Sequence, residues 1–169
     1  MMPQRLQREE YLKKLIAFQD KNIIKIITGI RRCGKSTLME IFQDHLRSTG
    51  VENSQILHIN FEDFDYRPLR DPAALHSYIT ERMARNRMTY VFLDEIQHCE
   101  EFPRVVDSLF IRKNVDLYIT GSNAYMLSSE IATLISGRYV EIKMLPLSFR
   151  EYVESTGDAK ELARKYTAY

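Results

Sequence analysis

Two glycines separated by four residues, the second followed at once by Lys and Ser, constrain this chain more than any other feature of its sequence. The segment Gly29-Ile30-Arg31-Arg32-Cys33-Gly34-Lys35-Ser36 fits the pattern of a loop that cradles phosphate groups. Residues 23–27 (IIKII form) read as an apolar strand entering this loop. Residues 36–42 (STLMEIF) read as a helix leaving it, which is the context the motif requires. A triphosphate carries several anionic oxygens close together, so its site needs many donors in a small space. A turn with little side-chain bulk at Gly29 and Gly34 lets backbone N–H groups point inward at them. The candidate nucleotide-binding residues are therefore Gly29, Ile30, Arg31, Arg32, Cys33, Gly34, Lys35, Ser36 and Thr37. Lys35 is expected between the β and γ phosphates, Ser36 on the Mg²⁺ that bridges them, and Thr37 near the α phosphate. Arg31 and Arg32 read as solvated charges or as contacts to phosphate or a partner. Cys33 reads as a packed loop residue.

A second motif asks for hydrolysis. Thr89-Tyr90-Val91-Phe92-Leu93-Asp94-Glu95 is an apolar run ending in two carboxylates, the form of a buried parallel strand whose carboxyl end faces a ligand. Asp94 is expected to hold the Mg²⁺ through water, and Glu95 to polarise the attacking water. Two acids are needed because one is committed to the metal. Gln97 and His98 follow and read as surface residues or as a wall of the site. A further strand, residues 115–120, ends in Gly121-Ser122-Asn123. Ser122 and Asn123 are both candidates to sense the γ phosphate, with an ordinary turn as the alternative. Arg138, in Ser136-Gly137-Arg138, reads either as an arginine that neutralises transition-state charge, from its own chain or a neighbouring subunit, or as a salt-bridged strand-end residue.

Between these motifs the pattern alternates. Helices are expected over residues 4–18, 36–47, 71–86, 103–112 and 124–135, with strands near 23–27, 55–61, 89–94, 115–120 and 139–144. Asp71-Pro72 supplies a cap and a first-turn proline. The acidic run Glu62-Asp63-Phe64-Asp65 reads as a solvated loop, with a contribution to the metal region as the alternative. Two further helices are expected near 149–155 and from 158 onward. Strands alternating with helices imply an α/β fold, a parallel sheet covered on both faces.

With 169 residues, 44% of them apolar and 28% charged, the chain reads as one globular core. A formal net charge of +1 offers no bulk attraction to nucleic acid or to an acidic membrane. Cys33 and Cys99 stand at no disulfide-framework or metal-ligand spacing, which fits a reducing cytoplasm. No stretch approaches the roughly eighteen apolar residues that span a bilayer.

The segments GIRRCGKSTL, FLDEIQ, ITGSNA, SGR and LPLSFREY, in this order, resemble the AAA_14 domain of the AAA-like bacterial and archaeal ATPases often joined to a DUF4143 domain. The resemblance spans nearly the whole chain, and LPLSFREY is its most specific part. It implies a P-loop NTPase fold, a three-layer αβα sandwich with five parallel strands in the order 5-1-4-3-2. It also implies ATP rather than GTP, with Lys35 and Ser36 on phosphate and Mg²⁺, Asp94 and Glu95 as the Walker B pair, and Ser122 or Asn123 as sensor. The chain ends where the C-terminal region of such proteins would begin, so it is expected to be the N-terminal ATPase core of something longer. Its expected partners are ATP, further copies of itself, and an attached or separate effector domain. The expected activity is ATP hydrolysis that drives or times a conformational change, with a nucleotide-binding switch of little turnover as the alternative.

Overall fold

A computed structural model describes residues 8–122, 133, 135–146 and 148. Helix α1 (Glu9–Phe18) leads into strand β1 (Ile24–Thr28), and helix α2 (Lys35–Ser48) follows the glycine loop. Then come β2 (Ile56–Asn60), α3 (Pro72–Arg82), β3 (Thr89–Asp94), α4 (Phe102–Phe110), β4 (Val115–Gly121) and β5 (Tyr139–Lys143). The five strands form one parallel sheet in the order β2-β3-β4-β1-β5. Read from the opposite edge, this is the expected 5-1-4-3-2.

Strands β1 and β3 are buried along their whole length, as a sheet covered on both faces demands. Alternation divides their side chains between two cores. Ile24, Ile26, Val91, Leu93, Leu117 and Ile119 pack toward α3 and α4, around Leu75, Ile79, Val106 and Leu109. Ile27, Tyr90, Phe92 and Tyr118 pack toward α1 and α2, around Leu15, Leu38, Met39, Phe42 and Leu46. The Phe92 and Tyr118 rings stack at 4.8 Å between centroids, and Phe42 lies 4.9 Å from Tyr118. Each such pair adds about 0.5–1.5 kcal/mol beyond the area it buries.

This second face also carries charge at the amino end of the sheet. The Lys25 ammonium, fully buried, donates to Asp116 Oδ1 and to the Lys21 carbonyl at 2.8 Å. Asp116 Oδ2 accepts from the Asp20 backbone N–H at 2.9 Å and from the Tyr118 hydroxyl at 2.8 Å. Burial, and then the Asp116 carboxylate, hold the Tyr118 hydroxyl far above its ordinary pKa. Three donors converge on this one carboxylate; burial pushes the Asp116 pKa up, and Lys25, the Asp20 N–H and the Tyr118 hydroxyl pull the other way. The network ties the α1–β1 turn to the sheet.

Several boundaries differ from the sequence expectation. Helix α3 stops at Arg82 rather than near residue 86, because Met83 is extended and the Ala84 N–H is taken by Thr89 Oγ1 at 2.9 Å. The acidic run is not all loop. Asp63 accepts from the Asp65 N–H and caps a 3-10 segment, Phe64–Arg70, whose last arginine donates to the Phe61 carbonyl at 2.8 Å. Among the expected helices, residues 4–7, nearly all of 124–135 and the two near the C-terminus lie outside the described residues.

Candidate functional site: the carboxyl edge of the sheet

The loop between β1 and α2 exists in this form because two positions have no side chain. A Cβ on Gly29 would stand 2.5 Å from Cys33 Sγ and 2.8 Å from the Met144 carbonyl oxygen, closer than atoms can pack. Gly34, at φ 97°, is in the left-handed region and starts α2. That helix has no side-chain cap and no acidic residue in its first turn. Helix α3, by contrast, is capped by Asp71, which accepts from the Ala74 N–H at 2.8 Å. The first N–H groups of α2 are thus left for an anion, and the helix dipole favours one there.

Lys35 is buried and folded back on the loop. Its Nζ donates to the carbonyls of Gly29 at 3.1 Å and Ile30 at 3.3 Å, and it stands 3.4 Å from Glu95 Oε1. Asp94, at the carboxyl end of β3, has no exposure. Its Oδ1 accepts from Thr120 Oγ1, while its Oδ2 is buried with no hydrogen-bond partner among the described residues. The same Thr120 oxygen accepts from the Glu95 N–H at 2.8 Å. One hydroxyl on β4 therefore fixes both acids at the end of β3. Glu95 itself is in the left-handed region, at φ 56°, which turns the chain out of the strand and presents the carboxylate to the loop.

Lys35 and Glu95 line two adjoining cavities. A cavity of about 380 Å³ is lined by Arg31, Arg32, Lys35, Ser36, Thr37 and Glu95, among others. Beside it, a second of about 230 Å³ brings Lys35 and Glu95 together with Gln97 and Ser122. On the far side of the loop a third, of about 260 Å³, runs along Thr37, Leu38 and Ile41 to Arg8. No group of three or more His, Cys, Asp or Glu side chains fit to hold a metal occurs among the described residues. Asp94 Oδ2, with no hydrogen-bond partner among the described residues, suits a divalent cation whose other ligands come from a polyphosphate.

The sequence-derived residues are thus largely brought together. Ile30 is exposed, and Arg31 lies exposed 3.5 Å from Glu62. Cys33 is packed under the loop. Ser122 lines the smaller cavity, whereas Asn123 lies outside the described residues. Arg138 is elsewhere. It precedes β5, which runs parallel to β1, and its carbonyl accepts from the Ile24 N–H at 2.8 Å. The length of β1, about 16 Å at some 3.3 Å per residue, separates it from the loop of its own chain. Arg138 there pairs with Asp107 and sits over the Phe110 ring. The expectation that it reaches a phosphate within its own chain is therefore corrected.

Three contributors carry no clear sequence signal. Thr120 reads as the last residue of a strand. His58 stands with Nε2 4.0 Å from Asp94 Oδ2 and with Nδ1 3.0 Å from Gln43 Nε2, and burial lowers its pKa. Arg8 donates to the carbonyls of Cys33 at 3.0 Å and Leu145 at 2.8 Å, tying the loop to the segment after β5. Only the sheet register and the chain's return past the loop bring these residues to the site.

Comparison with known proteins agrees with this geometry. An uncharacterized protein of Haemophilus influenzae is 44% identical over 151 residues, which cover 89% of this chain. This chain spans well under half the length of the curated relatives it matches, 38% and 29%. Among solved structures, C. elegans PCH-2 superposes with a TM-score of 0.59 at 20% identity, covering 92% of this chain and 46% of that one. The Aeropyrum pernix ORC2 protein, solved in ADPNP and ADP complexes, gives 0.56 at 16% identity, covering 91% and 50%. At such identities these likenesses speak to the fold. No helix among the described residues is long and apolar enough to cross a membrane. The AAA_14 family, described as an AAA domain, matches residues 21–153, and with a P-loop at the carboxyl edge of a β2-β3-β4-β1-β5 sheet, this chain belongs to that family.

Proposed function

We propose that the chain binds Mg-ATP and hydrolyses it, and that the cycle drives or times a conformational change in an attached or partner module. The observation that carries this reading is the convergence of Lys35, Asp94 and Glu95 at one sheet edge. Glu95 Oε1 stands 3.4 Å from the Lys35 ammonium, and Asp94 presents a buried oxygen with no hydrogen-bond partner among the described residues.

On this reading the loop N–H groups and the first turn of α2 receive the phosphates. Lys35 exchanges the Gly29 and Ile30 carbonyls for phosphate oxygens. Ser36 and Asp94 hold Mg²⁺, which neutralises charge developing on the β and γ phosphates. Glu95, released from Lys35, accepts a proton from the attacking water. Ser122 or Asn123 senses the γ phosphate. The base and sugar fit the cavity beside Leu38 and Ile41, with Arg8 at its rim. Arg138 serves a neighbouring subunit's site, a role that its distance from its own loop allows. The chain acts as the ATPase core of a longer protein, in the cytoplasm.

A nucleotide-binding switch with little turnover is the second reading. It is favoured by the contacts that occupy Lys35 with loop carbonyls and Glu95. Phosphate release from Mg-ATP, followed against protein concentration with Glu95→Gln as control, separates the two. Turnover lost in Glu95→Gln and rising faster than linearly with protein supports an assembling ATPase. Tight Mg-ATP binding without turnover supports the switch. Undiminished binding by Lys35→Ala would refute both.

A further inference from the structure

Gln97 is the group beside Glu95 that this scheme leaves unused. It belongs to the short 3-10 turn Ile96–His98 that follows Glu95 directly. Glu95's left-handed backbone folds that turn back, and the His98 N–H donates to the Glu95 carbonyl at 3.3 Å. Ile96, with no exposure, anchors the turn in the core under α3 and α4. The turn is therefore held in place, and Gln97 with it.

Its amide faces two ways. Nε2 donates to Glu95 Oε2 at 2.5 Å. A carboxylate can only accept here, so the orientation of this amide follows from the contact. The amide oxygen, Oε1, is buried and has no hydrogen-bond partner among the described residues. Native proteins rarely leave such an acceptor unmatched, and the exceptions gather where a group has catalytic work. Gln97 lines the same small cavity as Lys35, Glu95 and Ser122. Glu95 Oε1 is the oxygen that Lys35 vacates when it turns to phosphate. In this structure Gln97 Oε1 is closed to solvent; with Lys35 gone, the turn carries two acceptors, Glu95 Oε1 and Gln97 Oε1, and a water molecule has two hydrogens to give.

We infer that Gln97 is a catalytic residue of the hydrolysis, holding Glu95 Oε2 with its Nε2 and orienting the attacking water with its Oε1. The water oxygen bonds to the γ phosphorus. The bond from that phosphorus to the β–γ bridging oxygen breaks, and ADP leaves with the electron pair. The water's first proton passes to Glu95. Its second is hydrogen-bonded to Gln97, which neither gains nor loses a proton. This inference rests on the proposed ATP hydrolysis, so its test first requires wild-type turnover that Glu95→Gln abolishes. If that turnover is absent, the hydrolysis reading fails before Gln97 is in question.

The test uses the full chain with Gln97→Ala and the near-isostere Gln97→Met, their fold checked by far-UV circular dichroism and thermal melting. We expect kcat for Mg-ATP to fall by about 100-fold or more, the scale of a misplaced base, with ADP affinity within threefold of wild type. The double variant Glu95→Gln/Gln97→Ala should be no slower than Glu95→Gln, because the two residues act as one unit. In an equilibrium assay on the same proteins, ADP binding should tighten in the presence of aluminium fluoride for wild type and not for either Gln97 variant. A kcat within threefold of wild type in the folded Met variant overturns the inference, as does a rise in kcat, which would mean that Gln97 restrains Glu95. Equal losses of ADP affinity and kcat would reduce it to a structural brace and overturn it too.

Discussion

Replacing Thr120 by Val keeps the shape of the side chain and removes one oxygen that serves two groups. Thr120 Oγ1 donates to Asp94 Oδ1 and accepts from the Glu95 N–H at 2.8 Å. Asp94 has no exposure, and its Oδ2 already lacks a hydrogen-bond partner among the described residues, so the variant leaves a buried carboxylate with no donor among them. Stranding a buried polar group costs about 1–3 kcal/mol, and more when it is charged. With the weaker loss at Glu95 added, Thr120→Val should cost about 3 kcal/mol, or about 6–12 °C in Tm for a domain of this size. Urea unfolding followed by circular dichroism measures it. Thr120→Ser, which keeps the hydroxyl, should lose about 1 kcal/mol at most, the value of one buried methyl. Thr120→Val combined with Asp94→Leu should recover most of the loss, since both partners become apolar. His58 Nε2, at 4.0 Å from Asp94 Oδ2, is the nearest substitute donor, so His58→Leu should deepen the defect of Thr120→Val. If Thr120→Val melts within 1 kcal/mol of wild type by this assay, Thr120 does not hold Asp94, and the account of how the acids are fixed is wrong.

Gly29→Ala places a Cβ 2.5 Å from Cys33 Sγ and 2.8 Å from the Met144 carbonyl. It should cost about 1–3 kcal/mol as an overpacked contact and weaken ATP binding at least tenfold, as read by titration with a fluorescent ATP analogue; unchanged affinity would show that the loop yields freely. Asp116→Ala strands the buried Lys25 ammonium and should destabilise the chain by about 3–5 kcal/mol in urea. Lys25→Met/Asp116→Leu should recover only part of this, because the Asp20 N–H and the Tyr118 hydroxyl also lose their acceptor; full recovery would mean that those two bonds contribute nothing. Arg138→Ala should leave ATP affinity within threefold of wild type, given its place at the amino edge of the sheet. If Arg138 acts on a neighbouring subunit, turnover should fall only at protein concentrations where the chain associates, and an equal loss at every concentration would count against that role.

The motifs were legible because the chemistry that needs them is local in sequence. Gly29, Gly34, Lys35 and Ser36 act together as one turn and the start of one helix, and a turn without side chains has few sequence solutions. Asp94 and Glu95 were legible for the same reason, as the end of one apolar strand. The sheet followed from strands buried on both faces, which must read as unbroken apolar runs. Boundaries were less legible where a side chain competed for a backbone group, as Thr89 does for the Ala84 N–H that ends α3.

By itself the sequence determined that a phosphate loop, an acidic strand end and an alternating α/β order lie in this chain, since each depends on neighbours along the backbone. Only the tertiary structure decided which groups serve them. Thr120 reaches Asp94 and Glu95 because β3 and β4 pair in parallel with Leu93 beside Ile119. Arg138 is removed from its own loop because β5 pairs with β1 from Tyr139 beside Ile24 onward. Register and strand order join residues tens of positions apart, and no local pattern encodes that pairing.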